Sequence, residues 1–312
     1  MSRHSEIDLK DVRTIPVAQR PTKVRTELFA PAPDPEAPIG AFDQYLPDLL
    51  SGAALRRLVE SWVLARADGR PVVAMMGGHV IKTGVQRPLL ALLEAGAFTA
   101  VAMNGAAAIH DFEIALFGNT SEPVEETLGA GQFGLVEETP TLMNLAVNEG
   151  AKREKGMGEA LGDFLNEADA PYASLSLLAR TAQLGIPCTV HVAIGTDTLH
   201  QHPSFDGAST GAATHRDFRI FAAALRDLEG GVVLNFGSAV ILPEVFLKAV
   251  ALVRNRGLSL DGLTTVNLDF IRHYRPMTNV VSRPTSGVGK GYALVGHHEI
   301  LIPLLAAALA HE

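Results

Sequence analysis

From about residue 48 to the C-terminus, short continuously apolar runs alternate with stretches of helical spacing. Five-residue runs with no polar interruption are the signature of strands buried on both faces, whereas apolar residues at three- and four-residue intervals mark helices. The pattern predicts helices over Leu49–Ala67, Gln86–Glu94 and Asp111–Phe117, with strands at 71–76 and Phe98–Met103. Further on it predicts a helix over Tyr172–Leu184, a strand over Cys188–Ile194, a helix over Phe218–Leu228 and a strand over Val232–Asn235. The C-terminal part reads as helix Leu242–Arg254, strand Leu263–Leu268, a short strand Tyr292–Val295 and a closing helix Glu299–Ala310. Such alternation predicts an α/β fold: a Rossmann-like, doubly wound parallel sheet with helices on both faces.

Residues 1–40 break this pattern. They are polar and rich in proline, which predicts an extended arm ahead of a single α/β domain over 41–312. Residues 118–170 carry more glycine and glutamate and a weaker period, and read as an excursion from the sheet edge. The formal net charge of −8 argues against nucleic-acid binding and against an anionic membrane surface. No apolar run approaches the ~20 residues that span a bilayer. The single cysteine, Cys188, rules out a disulfide framework and fits a reducing, cytoplasmic setting.

In parallel sheets ligands bind beyond the carboxyl ends of strands, over helix N-termini. The stretch 78–122 is one full crossover unit, with small or polar residues where its strand ends: Asn104, Gly105, Ala106, then His110, Asp111 and Glu113. Asp111 and Glu113 fit both a helix cap and a ligand or proton-transfer role. Asp197 follows the strand Cys188–Ile194, and Gly237-Ser238 follows the strand at 232–235, so three strand ends converge on the same chemistry. Gly129-Ala130-Gly131-Gln132-Phe133-Gly134 matches G-x-G-x-x-G, but it lacks the preceding strand that a dinucleotide loop needs. His200 and His202 could share a metal ion only on a strand, and Pro203 places them in a loop, so hydrogen-bonding histidines are expected and no metal site. Lys290, between Gly289 and Gly291, is expected in an exposed loop where a ligand or second subunit could approach and turn it into an imine-forming nucleophile.

Over residues 70–310 the chain resembles the deoxyhypusine synthase family. The likeness lies in the Gly78-to-Gly84 turn and its helix, in the strand Phe98–Met103 leading to an acidic helix start, and in the C-terminal order through Gly237-Ser238, Asn267, Lys290 and Ile302-Pro303-Leu304-Leu305. The resemblance implies an NAD-binding fold, a homotetramer with sites between subunits, and a lysine that carries an imine during aminobutyl transfer from spermidine. Lys290 would match that lysine; Gly78, His79, Asn104, Gly105, Ala106, Asp197, Gly237 and Ser238 would contact NAD; His110 and Asp111 would assist the chemistry.

The chain also departs from the family. No histidine follows Gly237-Ser238, the acid-rich stretch before the lysine is replaced by Arg272, His273, Arg275 and Arg283, and His297 stands where a ribose-binding acid is expected. A cleft lined by cations repels a polycation. Arg272, Arg275 and Arg283 therefore point to a substrate with a carboxylate or phosphate, or with both signs of charge, and to an NAD-dependent transferase acting on something other than plain spermidine. Two alternatives stay open: deoxyhypusine or homospermidine synthesis itself, and a binding or assembly protein that kept only the fold.

Overall fold

The computed structural model describes residues 36–311 without a break, together with Leu28, Pro31 and Asp34. Most of the arm expected over 1–40 lies outside the described residues. After a 3-10 turn at Ile39–Tyr45 the chain forms α1 (Leu50–Ala67), β1 (Val72–Met76), α2 (Gly78–Lys82) and α3 (Gln86–Glu94). It continues as β2 (Ala100–Asn104), α4 (Gly105–Phe117), α5 (Val124–Gly129), α6 (Glu138–Lys152), α7 (Met157–Glu167) and α8 (Leu177–Leu184). Then come β3 (Cys188–His191), α9 (Gly207–Ala224), β4 (Val232–Phe236) and α10 (Ile241–Asn255). The last part is β5 (Thr264–Asp269), a one-turn α11 (Tyr274–Pro276) running into a π-helical Met277–Ser282, β6 (Lys290–Val295) and α12 (His298–His311).

The six strands form one sheet in the order β3-β2-β1-β4-β5-β6, and every pair is parallel. All of β1 is buried. Val72, Ala74 and Met76 face one apolar cluster with residues of α1, α3, α4 and α12, and Val73 and Met75 face the other with residues of α9 and α10. Two-residue alternation inside a continuously apolar run is what a sheet covered on both faces requires. The expected doubly wound α/β fold is therefore the observed one. The order also fixes the topological switch: the chain winds outward from β1 through β2 to β3, then returns to wind the other way from β4, so a crevice opens between the carboxyl ends of β1 and β4.

Several boundaries differ from the sequence expectation. α4 starts six residues before Asp111, at Gly105, because the Asn104 side chain accepts the Ala107 N–H at 2.9 Å and caps the helix there. β3 stops at His191, not Ile194, because among the described residues it is an edge strand paired only with β2, which ends opposite it at Asn104. α9 starts at Gly207, where the Asp206 carboxylate accepts the Ala208 and Ser209 N–H groups, and ends at Ala224. The segment 118–170 supplies α5, α6 and α7, and α7 comes against the backbone of β3: a side chain at Gly158 would collide with the Cys188 carbonyl. No helix among the described residues is long and apolar enough to cross a membrane.

Candidate functional site at the carboxyl edge of the sheet

The strand-end turns meet along the carboxyl edge. Gly77, directly after β1, lies so close to the turn after β4 that a Cβ there would overlap the Gly237 carbonyl and stand 3.0 Å from Ser238 N. Gly78 approaches Ala106 in the first turn of α4, with a Cβ contact at 2.9 Å. Gly105, the first residue of α4, leaves room for the Asp197 carboxylate, which would otherwise collide with its side chain. Gly78, Asn104, Gly105, Ala106, Asp197, Gly237 and Ser238, scattered over 160 residues of sequence, thus form one line across the sheet. His79 extends it: its ring packs against Phe270 at 5.3 Å and His298 at 5.6 Å, and His297 stacks on the exposed Phe270 at 6.1 Å, nearly parallel. His298 is fully buried; it donates from Nε2 to the Leu268 carbonyl at 3.0 Å, and among the described residues its Nδ1 has no partner.

One end of this line opens into a cavity of about 490 Å³. One face of α4 supplies Ala106, Ile109, His110, Glu113 and Phe117, at the three- and four-residue spacing of a helix side. The rest comes from Lys82, from Asn119–Glu122 and Val124, from Phe133, Gly134, Val136, Glu138 and Thr139, and from Thr196–Thr198. Among the described residues its charged lining is four carboxylates (Glu113, Glu122, Glu138 and Asp197) against the single Lys82. Glu113 accepts hydrogen bonds from Thr120 and, at 3.0 Å, from Thr139, while Glu122 accepts the Gly134 N–H at 2.8 Å. Burial raises the Asp197 carboxyl to about 6. Burial, with the nearby Lys82 charge second, lowers His110 to about 4 and keeps its imidazole neutral.

His200 sits behind Asp197. Its Nδ1 accepts the Gly195 and Asp197 N–H groups at 3.0 and 3.1 Å, which leaves Nε2 as the protonated nitrogen, buried and 4.0 Å from Asp197 Oδ2. His202 instead contacts Ser204 at 2.8 Å. Among the described residues no three His, Cys, Asp or Glu side chains are grouped as metal ligands.

Other candidate residues lie away from this site. Asp111 is fully buried on the opposite flank of α4, where its carboxylate accepts Ser176 Oγ at 2.6 Å and the Leu177 and Leu178 N–H groups at 2.9 and 3.0 Å. It caps α8, not its own helix. Lys290 is the first residue of β6 and donates its N–H to Leu263, so it lies at the amino edge, a full strand length from the carboxyl-end turns. The loop expected around it is instead drawn into the sheet by pairing with Thr264. Arg275 pairs with Glu244 on α10 at 3.3 Å, Arg283 donates to Asn279 at 2.8 Å, and Arg272 is exposed; none of the three lines the cavity. Conversely, Lys82, Thr120, Glu122, Glu138 and Thr139 escaped the sequence reading because most of them lie in the weakly periodic stretch after residue 118. The one available signal was Glu113, three residues after His110 on the same helix face.

No protein-family model matches the chain, and neither does any curated protein. Solved structures do. AgrE in a ternary complex with ornithine and NAD+ matches 83% of this chain at 16% identity with a TM-score of 0.54. ArgZ, an arginine dihydrolase from the ornithine–ammonia cycle in cyanobacteria, matches 83% at 17% identity and 0.50. The chain spans about a third of the length of each, 33% and 31%. A putative deoxyhypusine synthase from Entamoeba histolytica matches 78% of this chain and 75% of its own at 11% identity and 0.43. At these identities the property shared with AgrE and ArgZ is the fold.

Proposed function

We propose that the chain is an NAD-dependent enzyme of the deoxyhypusine-synthase type, a transferase acting on a small cationic substrate other than plain spermidine. The observation that carries this reading is the continuous line of close backbone approaches at the carboxyl edge, running from the β1–β4 switch point into an acid-lined cavity. The absence of side chains at Gly77, Gly78 and Gly237 lets the turns after β1 and β4 and the first turn of α4 close together at the place where doubly wound sheets bind a dinucleotide, and the Phe270–His297 pair offers a flat ring platform beside it. The acid that usually binds a ribose at the end of the second strand is here Asn104, already engaged by Ala107, so Asp197 is the carboxylate that takes this place. AgrE, which shares the fold, is known in complex with NAD+.

NAD would supply the hydride acceptor. The chain's own residues hold and orient the substrate: four carboxylates favour a cationic group, whereas the arginines had pointed to a carboxylate, a phosphate or a substrate of both signs. Lys82, which lines the cavity, would take the imine role there, and Lys290 would serve only at a site shared with a neighbouring subunit of a homo-oligomer. Titration calorimetry with NAD+ and NADH tests the cofactor; binding of neither overturns the reading. Cation affinity carries a pH signature. Asp197 is held near 6, among Lys82, Glu113, Glu122 and Glu138 in the cavity, His110 on α4 and His200 behind it. Below that pH it is neutral and attracts no cation, so affinity for a small ammonium ion should fall several-fold from pH 7.5 to 5, and Asp197→Asn should flatten that fall. An affinity that rises on acidification contradicts the assignment.

A further inference from the structure

We infer that His110 decides what the cavity accepts: a relay through Thr120 to Glu113 locks it as the Nδ1–H tautomer, and its Nε2 is a fixed acceptor for an N–H donor of the ligand. The inference deepens the cation-binding reading of this cavity and does not depend on NAD.

The proton count fixes the tautomer. Thr120 has one hydroxyl proton, and it goes to Glu113 Oε2. Glu113 Oε1 accepts from Thr139 Oγ1 at 3.0 Å, so both carboxylate oxygens act as acceptors. With its proton committed, Thr120 Oγ1 can only accept across its 2.7 Å contact with His110 Nδ1. The ring must therefore donate from Nδ1, and the lone pair is left on Nε2. No hydrogen bond to Nε2 occurs among the described residues, although His110 lines the cavity. The direct Nδ1-to-Glu113 distance is 3.9 Å, too long to replace the relay.

Neutrality completes the device. Because burial and Lys82 keep the imidazole uncharged, the acceptor is present at every pH above about 4. An ammonium group held by the surrounding carboxylates can then place one N–H on Nε2. A quaternary cation of the same charge has no proton to place there. The relay thus separates ligands that the carboxylates alone would treat alike.

Long-range 1H–15N spectra of the full chain labelled at histidine test this directly. At pH 7 His110 should appear as Nδ1–H, and Thr120→Val should shift it toward Nε2–H. Adding n-butylammonium chloride should move the Nε2 resonance, while tetramethylammonium chloride should not. His110→Phe should weaken n-butylammonium binding about fivefold, roughly 1 kcal/mol for one hydrogen bond, and leave tetramethylammonium binding as in the unmodified protein. An Nε2–H tautomer in the unmodified protein overturns the inference, whatever the fate of the variants. So does an equal response to both cations, or no response to n-butylammonium. Failure of NAD binding in calorimetry would remove the cofactor reading and leave these results standing.

Discussion

Replacing Asp111 by alanine should destabilise the protein by about 3–5 kcal/mol, enough to lower the melting temperature by roughly 5–8 °C. The side chain is fully buried and takes three hydrogen bonds, from Ser176 Oγ and the Leu177 and Leu178 N–H groups at the start of α8. Alanine leaves all three donors in a water-free interior, and each orphaned donor costs ~1–3 kcal/mol, partly offset because no carboxyl need be buried. Asp111→Asn keeps one acceptor and should lose less than half as much. Differential scanning calorimetry of the two variants separates this role from a catalytic one, which would leave stability unchanged. The pH dependence follows from the direction of the shift. Burial raises Asp111 to about 6 and Asp217, which accepts the Gly158 and Val190 N–H groups, to about 7. The folded protein therefore binds these protons more tightly than the unfolded chain. Their contribution to stability is complete below the unfolded carboxyl value of about 4 and is lost as pH rises through 6 to 7. Asp217→Asn should remove its share of that loss, because an amide carries no charge to desolvate.

The position of Asp111 shows where a local sequence reading ends. In sequence it belongs to a helix start, and a cap for that helix was the natural structural role. Yet α4 already has its cap in Asn104, and the carboxylate of Asp111 serves a helix that begins 66 residues later. Which flank of α4 faces α8 is set by tertiary packing alone. Lys290 failed to meet the other site residues for a different reason, the direction of its strand. The glycines around it suggested an exposed loop, but in a parallel sheet the start of β6 lies at the amino edge while every ligand-facing turn lies at the other. The strands themselves, and with them the carboxyl-edge turns, were legible because a strand buried on both faces must be apolar throughout. Nothing comparable constrains the cavity lining after residue 118, where Glu122, Glu138 and Thr139 are recruited by loop geometry with no period to betray it. The same holds for the arginines on which the substrate expectation rested: Arg275 and Arg283 are engaged by Glu244 and Asn279, outside the cavity.

A glycine-to-alanine pair separates the two places where a dinucleotide could bind. Gly77→Ala puts a methyl group against the Gly237 carbonyl, with Gly237 C at 2.8 Å and Ser238 N at 3.0 Å. All three are backbone atoms, so no side chain can rotate aside, and the turn after β1 or the turn after β4 must move. Both turns are tied to the sheet, Gly77 N to the Phe236 carbonyl at 2.9 Å and Gly237 N to the Leu268 carbonyl at 3.0 Å. Movement of the second would also pull Ser238 Oγ from the Leu242 N–H that it caps at 3.3 Å. Overpacking of this kind costs about 1–3 kcal/mol, and NAD affinity measured by calorimetry should fall at least tenfold because the crevice is remade. Gly129→Ala is the contrast. It alters the first glycine of the literal G-x-G-x-x-G run, at the last residue of α5, where a Cβ meets nothing within 4 Å. Alanine there should leave NAD binding unchanged and stabilise slightly, since it restricts the unfolded chain without strain in the folded one. If Gly129→Ala abolished NAD binding while Gly77→Ala did not, the nucleotide would lie over α5, and the carboxyl edge of β1 and β4 would not be its site.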